Sequence, residues 1–344
     1  MSPWRVSIEY EYAAKPDDGG TLNIVDGIDW LRMPLPFALN HINLWLLEDG
    51  ERWAIVDTGV GTGETQDHWR AVFDGAMRGK PASHIIVTHM HPDHVGCAGF
   101  LAHHFDVDLW MTRDEYMMCR ILVADTGREA PEEGVHFYKD AGFTDEQLHD
   151  YQKAFGFFGK FVTPMPEAYK RMSDGDVLPV GAHHWNVITG GGHSPEHACL
   201  YDANRNVLIS GDLLLPTISS NVSVWPTEPL ANPLQDWFDS LRKLRTAVPE
   251  DVLVLPAHGK PFRGAHPRID AMISEHEKRL DILRDFCAEP QRAVDVFPAI
   301  YRSRIDDRNR IMATGEALAH LHYLVCAGEL RAECQNDATW YQTL

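Results

Sequence analysis

Thr88-His89-Met90-His91-Pro92-Asp93-His94 is the stretch on which the reading of this chain turns. The apolar, β-branched run Ile85-Ile86-Val87 precedes it and reads as a buried strand, and Val95-Gly96 leads out of it toward a helix. Four polar side chains therefore sit in a short loop at the carboxyl end of a strand. His89 and His91 are two apart, so in extended backbone they point the same way and can share one ion. Asp93 and His94 follow in a turn that can aim at a second ion nearby. Three imidazoles and a carboxylate at this density point to a metal centre rather than to scattered surface histidines.

The flanking strands repeat the pattern. Asn43-Leu44-Trp45-Leu46-Leu47 and Trp53-Ala54-Ile55-Val56 are apolar runs on either side of Glu48-Asp49-Gly50-Glu51, and the second delivers Asp57 and a glycine-rich turn to the same sheet edge. Asp57 is expected to support the metal loop. Farther on, His184-Trp185-Asn186-Val187-Ile188 enters Thr189-Gly190-Gly191-Gly192-His193, Val207-Leu208-Ile209-Ser210 ends in Gly211-Asp212, and Val252-Leu253-Val254-Leu255-Pro256 leads to Ala257-His258. Each time an apolar strand stops on a small residue and a polar one.

Helical periodicity fills the intervals. Trp69, Val72, Phe73 and Met77 mark an amphipathic helix, and Phe100, Leu101 and Phe105 mark another. Strands alternating with helices indicate an α/β layered domain. Residues 111–174 read as a helical insertion that covers a site, with Thr144-Asp145-Glu146-Gln147 as a capping box. After about residue 265 a long helix following Pro267, a helix starting at Thr314 and strands pairing across Asn336-Asp337 suggest a small winged-helix-like module. The expected division is therefore 1–264 and 265–344.

The chain has 344 residues, 44% of them hydrophobic, which suffices for one large core or for a domain with a smaller companion. Its formal charge of -19 repels polyanions and disfavours general nucleic-acid or anionic-membrane binding. The six cysteines show no knuckle or redox spacing, and Met1-Ser2-Pro3-Trp4-Arg5-Val6 opens no long apolar run. The expectation is a cytoplasmic protein with reduced thiols and no membrane span.

The heptad of residues 88–94, followed in order by His193, Asp212 and His258, resembles the metallo-β-lactamase fold superfamily of metal-dependent hydrolases over about residues 20 to 262. The resemblance implies a four-layered αβ/βα sandwich with metals at one edge between two sheets. It also implies that His89, His91 and His193 hold one ion and Asp93, His94 and His258 the other, with Asp212 and a hydroxide bridging them. Asp57 resembles the family's early acidic residue, and His197 a second histidine of the thioesterase branch, expected here to brace its loop. Zinc is the expected metal, with iron or manganese as alternatives. The order of motifs is similar to the glyoxalase II and lactonase branches, and Leu318 to Leu330 is similar to the extension of the lactamase-like protein 2 group.

On this reading the chain is a dinuclear hydrolase of a small-molecule carboxylic ester or lactone, with Asp93 and Asp212 positioning the ions and assisting proton transfer. Alternatives are a thioesterase of glutathione or coenzyme A type, a phosphodiesterase or RNase, an iron dioxygenase, or a noncatalytic binding protein. Trp30, Phe37, Met90, Phe157, Phe158, Phe161 and Leu213 to Leu215 are candidates for an acyl pocket. Lys153, Lys160, Lys170, Arg171 and Lys260 are candidates for the phosphates of coenzyme A. The aromatic insertion and tail make a homodimer plausible.

Overall fold

The structure is a computed structural model that describes residues 8–36 and 39–344. Phe37, one of the pocket candidates, lies outside the described residues. The first half builds a seven-stranded sheet, β1 (Thr21–Val25), β2 (Ile28–Pro34), β3 (His41–Asp49), β4 (Arg52–Val56), β5 (Ala82–Ile86), β6 (Leu109–Thr112) and β7 (Lys170–Met172), in that spatial order. The second half builds a five-stranded sheet from β8 (Val177–Val180), β9 (His183–Gly190), β10 (His197–Asp202), β11 (Val207–Gly211) and β12 (Leu253–Pro256).

Strand alternation explains the layering. Along β3, Trp45 and Leu47 face a core between the two sheets, while Ile42, Leu44 and Leu46 face the opposite side. Helices α1 (Gly63–Asp74), α2 (Pro92–Val95), α3 (Ala98–Phe105) and α4 (Arg113–Ala124) follow, and Trp69, Val72, Leu101 and Cys119 from them join that second core. On β11 and β12, Leu208 and Val254 turn away from the inter-sheet core toward Trp237, Phe238 and Leu241. The result is helix, sheet, sheet, helix, the four-layered sandwich.

Between β6 and β7 lie α4, α5 (Glu132–Asp140) and α6 (Asp145–Ala154). The Thr144 capping box forms, with its hydroxyl on the Gln147 backbone and the Gln147 side chain returning to the Thr144 N–H. Helices α5 and α6 enclose Tyr138, Phe143, Leu148 and Tyr151, against which Val294 and Ile311 pack. This stretch therefore carries a small core of its own and leans on the tail of the chain.

The five-stranded sheet is covered by α7 (Pro233–Ala247), α8 (Ala265–Phe286) and α10 (Arg310–Cys326), with the short α9 (Phe297–Ile300) between the last two. Both long helices start earlier than expected. Pro267 sits inside the first turn of α8, where its missing N–H costs nothing, and Thr314 is mid-helix, its hydroxyl donating back to the Arg310 carbonyl. β13 (Leu330–Gln335) and β14 (Ala338–Thr343) close the chain as a hairpin, with Asn336 and Asp337 at φ 51 and 60, the left-handed pair that a type I′ turn requires. Among the described residues no helix is long and apolar enough to cross a membrane, and no cysteine is paired.

Candidate metal centre

The two sheets meet edge to edge where their strands end. Ala198 N–H donates to Thr88 O at 2.9 Å and Asn43 N–H to Ala257 O at 2.7 Å across the sheets, while Ala257 N–H donates to Gly211 O at 3.1 Å within the second sheet. These bonds bring the residues after β5, before β10, after β11 and after β12 to one place. The chain therefore gathers His89, His91, Asp93, His94, His193, Asp212 and His258 although they are spread over half its length.

Three sets of these side chains have ligand atoms within 4.8 Å of one another: His89, His91 and His193; His89, His94 and Asp212; Asp93, His94 and His258. His89 Nε2 and His91 Nδ1 face each other at 2.8 Å. Asp212 lies between the two ends, with Oδ2 3.4 Å from His193 Nε2 and Oδ1 3.5 Å from His258 Nε2 and 3.6 Å from His94 Nε2. Asp93 Oδ2 is 3.3 Å from His258 Nε2.

The surrounding structure leaves the inward nitrogens free. His193 Nδ1 lies 2.7 Å from Asn221 O and His258 Nδ1 2.8 Å from His41 O, so each Nδ1–H is donated outward and each Nε2 keeps its lone pair. His94 Nδ1 is 2.8 Å from Asp57 Oδ2. The atoms left over, His94 Nε2, His193 Nε2, His258 Nε2 and Asp212 Oδ1, are buried without a hydrogen bond. Buried polar atoms are seldom left so, and four of them within one cluster of metal-competent side chains suit cations.

Protonation tells the same story. Burial, then the neighbouring imidazoles, pushes His89 well below the ordinary imidazole range, and burial together with His193 brings His91 to about 3. That side is neutral and ready to donate lone pairs. On the other side burial opposes charge, yet the carboxylates of Asp57, Asp93 and Asp212 outweigh it and hold His94 well above its usual value. His258 is raised as well, by Asp212 and Asp93 against the cost of burial. In return, and again against burial, His94 and His258 draw Asp93 down to about 2 and Asp212 well below the carboxylate range. The carboxylates on that side thus favour positive charge among them. The donor set, imidazoles and carboxylates with unbonded buried atoms, fits divalent metal.

Of the expected supports, Asp57 accepts from Thr88 N–H at 2.8 Å and from the Thr88 hydroxyl while orienting His94. His197 is fully buried and its Nε2 accepts from Asp212 N–H at 3.1 Å, which places it under the loop as a brace. Glu115 was not expected. This buried residue of α4 accepts from Met90 N–H at 2.8 Å, Ser194 Oγ at 2.6 Å and Glu196 N–H at 2.8 Å, tying the 88–94 loop to the 191–197 loop across both sheets. Burial raises its pKa, with the three donors pulling the other way. Glu115→Ala strands three donors and is expected to cost about 2–4 kcal/mol of stability, with metal affinity roughly tenfold weaker, read by denaturant unfolding and metal titration.

The pocket candidates fall in different places. Trp30 is 1% exposed, locked between the sheets against Trp45, and Leu213 and Leu215 are equally buried, so none of the three faces an open pocket. Periodicity marked them as apolar and could not say that they point into the cores. Met90 is 8% exposed and packs with the helices beside β5. Phe158 and Phe161 lie at the edge of that core, and Phe157 is 49% exposed with Lys160 3.9 Å above its ring. Lys153 and Lys170 are each near a carboxylate, Asp150 and Asp108, and Lys260 bonds the Ala13 carbonyl.

The family model described as Metallo-beta-lactamase superfamily matches residues 39–258, and that described as Metallo-beta-lactamase-like, C-terminal domain matches residues 280–343. The crystal structure of a beta-lactamase domain protein from Burkholderia ambifaria is similar with a TM-score of 0.90 and 40% identity, covering 98% of both chains. The probable metallo-hydrolase YqjP of Bacillus subtilis (strain 168) is 24% identical over 331 residues, 91% of this chain and 97% of its own. The human acyl-coenzyme A thioesterase MBLAC2 is 27% identical over 199 residues, 55% of this chain and 64% of its own. Fold, site and matched span agree, and this chain belongs to the metallo-β-lactamase superfamily.

Proposed function

We propose that this protein is a dinuclear metal-dependent hydrolase of a carboxylic thioester. One ion is assigned to His89, His91 and His193, the other to Asp93, His94 and His258, with Asp212 reaching both. The observation that carries the reading is the convergence of His94 Nε2, His193 Nε2, His258 Nε2 and Asp212 Oδ1, all buried and none hydrogen-bonded. Imidazole and carboxylate donors suit zinc first, and iron or manganese as well. Ions held by these residues would supply an acidified water and positive charge to offset the negative charge that grows on an acyl oxygen under attack.

The chain's own groups supply the geometry. Asp57, Asn221 O and His41 O fix the rings of His94, His193 and His258, and His197 holds the backbone of Asp212. Asp93 has the more exposed carboxylate of the pair, 18% against 11% for Asp212, and is assigned the exchange of protons with solvent.

A thioester is placed ahead of the oxygen ester or lactone because the human relative is named for thioester cleavage. The test is a metal-replete assay with matched acyl thioesters of coenzyme A and glutathione, oxygen esters, lactones and phosphodiesters. The expected result is chelator-sensitive release of free thiol with kcat/KM at least about tenfold above the matched oxygen ester, about 1.4 kcal/mol. Turnover confined to oxygen esters or phosphodiesters would overturn it.

A further inference from the structure

The loop that leaves Asp212 is held in part by the C-terminal helices. Arg268 of α8 donates from Nε to Leu215 O and from Nη2 to Ile218 O, each at 2.6 Å. Ser220 Oγ donates to Asp212 O at 2.6 Å, and Ser219 Oγ lies 3.4 Å from Nε2 of the buried His276, also on α8. The next residue, Asn221, carries the carbonyl that accepts from His193 Nδ1. From there on, the partner is α10.

Asn221 Nδ2 donates to Glu316 Oε2 at 3.3 Å, and Asn221 Oδ1 accepts from Ser223 Oγ. Glu316 is gripped in turn by Tyr301 Oη at 2.8 Å and by Arg279 Nη1 at 3.1 Å, with only 14% of its side chain exposed. Val224 N–H donates to Gly315 O at 3.0 Å, and a Cβ on Gly315 would lie 2.7 Å from Ser223 Cβ. Helix and loop are thus pressed together without room for a side chain at the point where Glu316 reaches Asn221.

We infer that Asn221 and Glu316 are positioning residues for His193, and that the C-terminal helices thereby set how tightly the ion assigned to His89, His91 and His193 is held. The physical chain is short. The Asn221 side chain, clamped at both ends, fixes the plane of its own peptide. That plane aims the carbonyl at His193 Nδ1, and the carbonyl in turn fixes the tautomer and tilt of the ring. Glu316 is the one acceptor serving Asn221, Tyr301 and Arg279 together, so its loss frees the clamp while leaving the Asn221 carbonyl in the chain. The ion assigned to Asp93, His94 and His258 is oriented by Asp57 and by His41 O, which do not touch this network.

The inference rests on the two-ion reading, and the experiment separates the two. Full-length protein is loaded with two equivalents of cobalt(II), and release to a chromogenic chelator is followed together with the cobalt absorption bands and thermal unfolding. Glu316→Ala and Asn221→Ala are expected to release one of the two ions roughly tenfold faster and to leave the other rate unchanged. Glu316→Gln, which keeps one acceptor oxygen, falls between, and the double variant is no faster than the quicker single because both act on one path. Glu329→Gln, which removes the charge that pairs with Arg284 of α8 in the connection between α10 and β13, leaves both rates as they were. Unchanged release in the Glu316 and Asn221 variants, or equal acceleration of both ions in step with lost thermal stability, overturns the positioning role alone. A wild-type chain that takes up no cobalt overturns the metal-centre reading and the positioning role with it.

Discussion

Asp212→Ala is expected to yield a folded protein whose metal-dependent hydrolysis is reduced at least about a thousandfold, about 4 kcal/mol of transition-state stabilisation. The two oxygens of this carboxylate face both ends of the cluster, toward His193 on one side and His94 and His258 on the other. On the two-ion reading proposed above, the variant loses the acidic neighbour assigned to both ions, and metal content should fall from about two per chain to at most about one. The fold should survive for a local reason. The bonds that hold residue 212 in place, from its N–H to His197 Nε2 and from Ser220 Oγ to its carbonyl, belong to the backbone and persist in alanine. Metal analysis, hydrolysis rates and a melting curve on the same preparation check all three statements, and full activity in the metal-replete variant would refute the role given to Asp212.

Asp57→Asn should produce the second large effect, and mainly on stability. Asp57 sits at φ 59, a left-handed conformation that asparagine tolerates, so the substitution tests the charge and not the backbone. Its oxygens take Thr88 N–H, the Thr88 hydroxyl and His94 Nδ1, all buried. An amide can serve only some of them and sets a donor against another donor. The expected cost is about 2–4 kcal/mol by denaturant unfolding, with metal affinity down roughly 10–100-fold as His94 loses its orientation.

The sign with pH is fixed by His94, whose pKa is raised in the folded metal-free protein by Asp57 and the other two carboxylates against burial. That contribution is complete below the unfolded imidazole value of about 6.5 and is lost as the pH climbs through the raised folded value. The gap between wild type and variant, measured without metal, should be widest near pH 6, with reference to that unfolded value, and should narrow toward alkaline pH.

The sequence made the strand ends and their polar residues visible because a metal site at a sheet edge obeys two local rules at once: an apolar run must stop, and a ligand must follow. The heptad around His89, with His193, Asp212 and His258, carries that signature in each case. Glu115 carries none, since an acid in the first turn of a helix is ordinary and its three partners lie 25, 79 and 81 residues away. Asn221 and Glu316 are hidden in the same way, being joined across 95 residues. Trp30, Leu213 and Leu215 were misplaced because hydrophobicity reports burial and not which side of a layered molecule is buried. Thr314 was misplaced because a threonine that back-bonds within a helix looks, in sequence, like one that caps it.

The parallel pairing of β12 with β11 requires the chain to pass through all of α7 before the last strand can dock. His258 follows that strand and so arrives about half a chain length after His89. A nascent or refolding chain can present the 88–94 loop long before it can complete the set of Asp93, His94 and His258. Contacts separated so widely form late, because the loop they close must first be paid for in chain entropy. On the two-ion reading proposed above, the set of Asp93, His94 and His258 is expected to close late in refolding, so a chelator present during refolding should leave a folded, metal-free chain, whereas the same chelator added to finished protein should act only at the rate of ion escape.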